Sequence, residues 1–393
     1  MSIEDIVKET KAFYCLECGV CTGSCPVSRV LPSFSPRMMV TEALLGLEAE
    51  VLKDSNPWQC LTCGRCSHRC PSKVDYQGFI RSVRIEAVGK GMEGVCSHGG
   101  VLQGIMRLQS QGLFKQNRLG WTSGVKIAEK GDYFYFVGCA PYFDVVFKHL
   151  NVNFGLTARN VVKLLNLLGI EPVVSNDERC CGHDLLWSGD LAGFKALAKL
   201  NLEVIRASSA KKVICACPEG FTTLSQDYPR YFGNLGFEVI NFYQLLAERL
   251  RSGGIKLNES KAIVTYQDPC RLGRLSGIYE EPRQVIAAIP GASLKEMERN
   301  RADAMCCGTS AWMNCTVCSE QIRLERLKEA KATGAETLVT ACPKCQIHFR
   351  CTLSNNPDLN LKVKDLADLV AEAVSAEVFF FCAACIVICS CVF

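Results

Sequence analysis

The sequence predicts a multidomain α+β chain: an α-helical N-terminal module, then two copies of an α/β unit with mostly parallel sheets. Three observations predict it. Two cysteine runs of identical spacing stand between Cys15 and Cys70, separated by a stretch of helical periodicity. From residue 131 onward, short apolar strands alternate with amphipathic helices, the pattern of a parallel sheet. Cysteines then recur at a near-constant displacement: Cys139 to Cys270, Cys180 to Cys306 and Cys217 to Cys342 are 131, 126 and 125 residues apart. An internal duplication is the simplest account. With 393 residues, 48% hydrophobic and 21% charged, the chain is long enough for several domains with real cores.

The helical module comes first, over residues 1–92. Its first run, "CLECGVCTGSCP", holds Cys15, Cys18, Cys21 and Cys25; its second, "CLTCGRCSHRCP", holds Cys60, Cys63, Cys66 and Cys70. Both read C-x2-C-x2-C-x3-C-P, the run of bacterial two-cluster ferredoxins, in which the fourth cysteine serves the other cluster. One [4Fe–4S] cluster is therefore expected on Cys15, Cys18, Cys21 and Cys70, and a second on Cys60, Cys63, Cys66 and Cys25. Three closely spaced thiolates wrap a cluster with backbone amides facing its sulfides, and the proline turns the chain toward the other. The 34 residues between the runs include "SPRMMVTEALLGLEAEVL", a helical pattern with proline near its start. "DYQGFIRSVRIEAV" is the closing helix. Residues 93–130, glycine-rich at both ends, are expected as a linker or covering segment, with no role for Cys96 or His98.

The first α/β copy is expected over 131–257. "DYFYFVGC" is a strand ending at Cys139, and "TARNVVKLLNLLGI" a helix. "EPVVSNDERCCGHD" is a short strand running into Cys180–Cys181–Gly182. "LAGFKALAKLNLEVIRAS" is helical, and "KKVICACPEG" a strand ending in Cys215 and Cys217. The second copy, 258–375, repeats the order. "KAIVTYQDPC" ends at Cys270, a helix near "PRQVIAAIPG" leads to Cys306–Cys307–Gly308, "EQIRLERLKEAKATG" is helical, and "AETLVTACPKCQ" ends in Cys342 and Cys345. Ligands of such sheets gather beyond the carboxyl ends of the strands. The cysteines lie there in both copies, so thiols distant in sequence are expected to converge.

The pattern C-x35-CC-x34-C-x2-C, carried by "DPCRLGR", "AMCCGTSAW" and "TACPKCQIHF" and echoed by "YFVGC" and "NDERCCGHD", resembles the CCG domain of heterodisulfide reductases. Together with the N-terminal runs, the order of parts over residues 10–372 resembles the D-type subunit of that family. Its relatives include iron–sulfur subunits of glycolate, lactate and glycerol-3-phosphate dehydrogenases. The resemblance implies a noncubane [4Fe–4S] cluster held by five thiolates, here Cys270, Cys306, Cys307, Cys342 and Cys345. Adjacent cysteines would reach neighbouring irons of one extended cluster. The first copy supplies Cys139, Cys180, Cys181 and Cys217, but Gly220 stands where the fifth cysteine is expected, and Cys215 precedes Cys217 by two residues. Two expectations stay open for it: another cluster, or a degenerate half that shapes the cleft.

The resemblance implies an oxygen-sensitive iron–sulfur oxidoreductase of an anaerobe. Electrons would pass through two [4Fe–4S] clusters to the noncubane cluster, which reduces a small disulfide, CoM-S-S-CoB or similar. The alternative is an electron-relay subunit of a flavin-dependent hydroxy-acid or acyl-CoA dehydrogenase complex. Either needs an electron-donor or acceptor subunit, a flavoprotein or membrane cytochrome b, since no G-x-G-x-x-G follows a strand to hold flavin or nicotinamide. The start "MSIEDIVKET" lacks a signal-peptide pattern, and 26 cysteines in such a chain read as metal ligands. A cytoplasmic location, or membrane association through a partner subunit, is expected. The formal charge of +4 counts thiols as neutral and gives no argument for nucleic acid. His183, Lys344 and His348 are candidates to deliver a proton or balance charge. Cys315 and Cys318 form an extra CxxC, expected at i and i+3 of a helix as spare thiols or a redox pair; Cys351 has no expected role. The apolar tail, 376–393, ends in "EVFFFCAACIVICSCVF". As a helix it would span about 24 Å, slightly short for a bilayer, and it is expected as a membrane- or partner-binding appendage or an aberrant terminus.

Overall fold

A computed structural model describes residues 1–53 and 56–374; the apolar tail lies outside the described residues. The N-terminal module is helical. Ile3–Glu9, Pro36–Leu44 and Tyr76–Gly89 bury Ile6, Val40, Phe79 and Val83 against one another. Each starts on a side-chain cap: Ser2, with Asp5 closing a capping box; Ser35, followed by Pro36; and Asp75, which accepts from the Gly78 amide at 2.9 Å. The helical pattern of residues 35–52 breaks at Gly46 (φ 70°) into Pro36–Leu44 and Glu48–Val51.

The two cysteine runs share one backbone. Glu17 and Gly19 in the first (φ 51° and 75°) and Thr62 and Gly64 in the second (φ 48° and 74°) are left-handed. Each run then makes one helical turn, Val20–Ser24 or Arg65–Arg69, and the two turns lie side by side. Left-handed residues turn successive amides inward, the concave arrangement that favours an anionic group.

Each α/β copy builds a parallel sheet. The first holds β1 (Tyr133–Phe136), β2 (Lys212–Cys215) and β3 (Glu238–Asn241) in that order. The second holds β4 (Ile263–Gln267), β5 (Ser293–Leu294), β6 (Thr337–Thr340) and β7 (Lys362–Asp365) in the order β5-β4-β6-β7. In the first copy the place of β5 is taken by Val173, a single residue bridged beside β1, so the strand expected at "EPVV" shrinks to one bridging residue. With that counted, the two sheets have one topology. Phe134, Val213, Ile214, Val264, Leu338 and Val339 are fully buried, as strands covered by helices on both faces must be.

The expected helices form over Phe154–Leu167, Leu191–Ala207, Glu280–Ala287 and Val317–Ala332. The copies meet reciprocally: Phe154–Leu167 packs on the last helix of the other copy, Leu366–Glu372, and Glu280–Ala287 packs on Phe242–Arg251. That exchange is what a pseudo-two-fold axis between the copies requires. One expectation is corrected. Cys315 and Cys318 do not share a helix, because it begins at Val317. Cys315 lies before it, exposed, with Arg323 Nη1 at 3.6 Å, and Cys318 is half-buried in its first turn. Among the described residues, no helix is long and apolar enough to cross a membrane.

Candidate functional site

The second copy gathers its five cysteines at the carboxyl ends of its strands. Cys270 follows β4, Cys306 and Cys307 follow β5, and Cys342 caps the helix Pro343–Asn355, which carries Cys345 in its first turn. Thiol contacts run unbroken from Cys270 to Cys306, Cys307, Cys345 and Cys342. All but Cys270 are buried. Their neighbours' thiols, then burial, push Cys306 and Cys345 well above the ordinary thiol range, while contacts from Cys306 and Cys345 pull Cys307 down. His348 Nδ1 lies 3.4 Å from Cys307 Sγ. Gly308 explains the residue after the pair: its φ is 87°, and a Cβ there would meet the Ser319 carbonyl at 2.7 Å. Gly182 repeats this in the first copy, with φ 82° and the Phe194 ring at 2.8 Å.

The second cysteine run reaches the same place. Cys63 contacts Cys306, and that contact holds the Cys63 thiol low against the effect of burial. Cys25, Cys60, Cys63 and Cys66 line one small pocket, so the closing cysteine of the first run faces the second. Burial pushes Cys60 up to about 12, against the pull of Arg84, and Cys60 Sγ accepts from the Thr62 amide at 3.2 Å. Cys15, Cys21 and Cys70 are half-buried, and Cys18 is exposed beside Leu16, which is 71% exposed.

These donors suit clusters better than single ions. A tetrahedral zinc with Zn–S near 2.3 Å needs sulfurs about 3.8 Å apart. Among the described residues, no three cysteine thiols lie mutually within 4.8 Å. Soft thiolates at wider spacing, with inward amides, fit iron–sulfur clusters.

The first copy is less complete. Cys139 and Cys180 are 2.9 Å apart, and Cys180 contacts Cys181. Cys217 faces Cys181 and, across the pseudo-two-fold, Cys342. Cys215 is fully buried in β2, facing Cys181 and Glu178. Gly220 holds the place of Cys345. A Cβ there would meet Cys217 at 3.8 Å and Phe136 at 3.9 Å, ordinary contacts, so lack of space does not exclude a side chain.

Between the copies lies a charged knot. Lys344 Nζ pairs with Asp184, and with Glu219 at 2.7 Å. Burial opposes the Lys344 charge, but the two carboxylates hold its pKa above the ordinary range. Burial likewise opposes the charge on Asp184, which Lys344 and His183 hold below the carboxylate range. His183 Nδ1 lies 2.8 Å from Asp184, and its Nε2 accepts from Arg271 Nε at 2.9 Å, which places the ring proton on Nδ1. Arg271 also donates to the Thr62 carbonyl at 2.6 Å and hydroxyl at 2.8 Å, and stacks over Trp187 at 4.3 Å. His183, Asp184 and Glu219 form the one His/Cys/Asp/Glu set among the described residues close enough for a single ion, but Lys344 already supplies the cation there.

Sequence reading named His183 and Lys344 but missed Asp184, Glu219 and Arg271. Superposing "ACPEG" on "ACPKC" carries the signal: the copies place opposite charges, Glu219 and Lys344, at one equivalent position. It also missed how residues 93–130 grip both copies. Gln103 donates to the Ala311 carbonyl at 3.0 Å, Gln109 accepts from the Cys180 amide at 2.7 Å, and Arg118 donates to the Glu178 carbonyl at 2.7 Å.

Comparison with known proteins agrees with this architecture. The 4Fe-4S dicluster domain model matches residues 11–74, and the cysteine-rich domain model matches 133–225 and again 264–350. In Methanosarcina acetivorans, the D-type component of the dihydromethanophenazine:CoB–CoM heterodisulfide reductase is 36% identical over 279 residues, covering 68% of this chain and 65% of that protein. The chain belongs to the heterodisulfide reductase D-type subunit family. The corresponding protein of Methanosarcina barkeri is 34% identical, over 66% of this chain and 63% of that protein, so the chain spans slightly under two thirds of these relatives. The EtfAB:quinone oxidoreductase of Syntrophomonas wolfei is 30% identical, over 58% of this chain and 34% of that protein. The dicluster match makes the N-terminal module an iron–sulfur domain.

Proposed function

We propose that this chain receives electrons from a redox partner and uses them to split a small disulfide, CoM-S-S-CoB or similar, into two thiols. The reaction consumes two electrons and two protons for each S–S bond broken. Cys15, Cys18, Cys21 and Cys70 would hold one [4Fe–4S] cluster, Cys25, Cys60, Cys63 and Cys66 a second, and Cys270, Cys306, Cys307, Cys342 and Cys345 a noncubane one. When bound, the clusters supply one-electron carriers and a site that holds the half-reduced state between electrons.

The observation that carries this reading is the contact between Cys63 and Cys306, which joins the N-terminal cysteine set to the second-copy set. The chain's own residues bury the thiols and fix their neighbours. Arg271 and Arg274 place positive charge beside the Cys63 and Cys270 thiols, and Trp312 packs 5.3 Å from His348, which lies against Cys307. The partner would be a flavoprotein or membrane cytochrome b, the chain cytoplasmic or held at a membrane through that partner. Anaerobic purification should give about 12 irons per chain, for two cubanes and one noncubane cluster. Reduced viologen should then drive reduction of CoM-S-S-CoB.

A second reading, electron relay for a flavin dehydrogenase, is favoured by Gly220 in the first copy and by the likeness to the EtfAB:quinone oxidoreductase. Full iron content with no disulfide turnover, together with reduction of the clusters by a flavoprotein, would decide for it.

A further inference from the structure

Cys315, Cys318 and Cys351 stand outside the cluster series, and two of them share one buried cation. Arg323, on the helix Val317–Ala332, is 4% exposed and pairs with no carboxylate among the described residues. Its Nη1 donates to Cys315 Sγ at 3.6 Å and to Thr309 Oγ1 at 3.2 Å, and its Nε donates to Thr352 Oγ1 at 2.8 Å. Thr352 follows Cys351 on the helix Pro343–Asn355, so one guanidinium reaches from Cys315 to the neighbour of Cys351. Burial pushes the Cys351 thiol up, Arg323 opposes that rise, and the Cys315 charge adds to it. Burial alone pushes up Cys318, the other half of the CxxC. Cys315 is exposed, in irregular chain ahead of its helix, and Cys351 is half-buried.

A buried guanidinium is ordinarily matched by an anion, and reactive thiols are those held exposed beside a cation. Among the described residues, the ionisable side chain that accepts from Arg323 is the Cys315 thiol. We propose that Cys315 and Cys351 are a redox pair that reacts with a low-molecular-weight disulfide at the protein surface, apart from the cluster cysteines. Cys315, as its thiolate, attacks one sulfur of the small disulfide; a mixed disulfide forms and one half leaves as a thiolate. Cys351 then attacks the Cys315 sulfur, closes a Cys315–Cys351 disulfide and releases the other half. The two protein thiols give two electrons to the small disulfide, and their two protons end on the two released thiols. The state of the pair is felt at the second-copy series through Arg323. A Cβ on Gly308 would meet Arg323 Cγ at 2.9 Å, and Thr309, which accepts from Nη1, follows the Cys306–Cys307–Gly308 turn. Oxidation takes the thiolate from Nη1 and loosens the side chain that packs on this turn. The pair does not depend on the reaction at the clusters.

The test uses the loaded holoprotein under argon with 2,2′-dithiodiethanol in slight excess. No electron donor is added, so turnover at the clusters releases no thiol. Acid quenching, thiol blocking and peptide mass mapping follow. The parent should carry a Cys315–Cys351 disulfide and release two 2-mercaptoethanol molecules per chain. Cys351→Ser should stop at the mixed disulfide on Cys315 and release one. Cys315→Ser should slow the release at least tenfold, and Cys318→Ser should leave it unchanged. A Cys315–Cys318 disulfide, or release at the parent rate in Cys315→Ser, overturns the pair. The link to the turn is read separately, as the rate at which a ferrous chelator strips iron from the holoprotein. That rate should rise about threefold once the parent is oxidised and stay fixed in Cys315→Ser. An oxidised parent that loses iron no faster than the reduced one overturns the link through Arg323 and leaves the thiol pair standing.

Discussion

The two α/β copies have one topology, one CCG turn with the same left-handed glycine, and one reciprocal packing, yet their cysteine sets differ. The second copy joins five thiols in an unbroken series that touches Cys63 of the N-terminal module. The first has four of the five and turns its remaining polar groups, Asp184 and Glu219, onto Lys344 of the second. Duplication conserved the scaffold that brings strand ends together; a few substitutions at those ends divided the labour. The second copy gathers five thiols in series, and the first sets two buried carboxylates against the lysine that lies between two of them.

The largest expected effect comes from breaking the second set. Cys306→Ser should lower viologen-driven disulfide reduction to below about 1% and lose about four irons per chain, because Cys306 touches three other thiols. Cys180→Ser, at the equivalent buried position in the first copy, should retain the iron content and activity within about threefold. Equal loss from both variants, read by iron analysis and viologen oxidation, would mean that the copies carry equivalent centres.

Next in size is the knot between them. Lys344→Met leaves Asp184 and Glu219 buried without their cation, which for a buried pair costs about 3–5 kcal/mol. Anaerobic thermal melts should show Tm lower by roughly 10 °C. Glu219→Gln keeps Lys344 paired with Asp184 and should cost less than half as much. Similar losses from the two variants would show that Glu219, not Asp184, is the main counter-charge.

The comparison can also be sharpened by repair. Gly220→Cys adds the missing thiol where a Cβ meets only ordinary contacts. Iron should rise by about four per chain if the fifth ligand is what the first copy lacks. Unchanged iron would locate the defect elsewhere, in the buried Cys215 or in the Lys344 charge that faces Cys217's copy.

Much of this was legible in the sequence. Cysteine spacing carries the cluster runs because a thiolate cage demands local geometry, and strand–helix alternation carries the sheets because a twice-covered strand must be apolar throughout. What stayed hidden depends on surfaces meeting. Nothing in "CLTCGRC" says that Cys63 abuts Cys306, and nothing in "DPCRLGR" says that Arg271 stacks on Trp187 and bonds His183 of the other copy. "EPVV" looks like a strand, but only Val173 bridges β1, a matter of edge pairing rather than propensity. The extra CxxC misled because "CTVC" gives no sign that the helix starts at Val317, between its cysteines.

The smallest expected effect lies at another pair of equivalent positions, the caps of the last helix in each copy. In the first copy it is Asn241, whose Oδ1 accepts from the Tyr243 amide at 3.0 Å. In the second it is Asp365, which accepts from Tyr243 Oη of the first copy at 2.8 Å, Gln346 Nε2 at 2.7 Å and the Ala367 amide at 2.9 Å. Burial, with the Asp368 charge, raises its pKa to about 7, whereas an unfolded aspartate titrates near 3.9. Below pH ~4 the carboxyl is protonated in both states and costs the fold nothing. Between pH ~4 and ~7 the unfolded chain releases the proton while the folded one keeps it, so stability falls as pH rises, and above ~7 the loss is complete. Asp365→Asn installs the first copy's neutral cap. Its Oδ1 can still accept from Tyr243 and Ala367, and Gln346 can turn its amide to accept from the new Nδ2. Melts of the holoprotein from pH 5 to 8 should therefore show a shallower decline in the variant, which gains a few °C on the parent up to pH ~7 and nothing further beyond it. A slope identical to that of the parent would mean that Asp365 is ionised in the fold throughout, with Tyr243 and Gln346 together outweighing its burial.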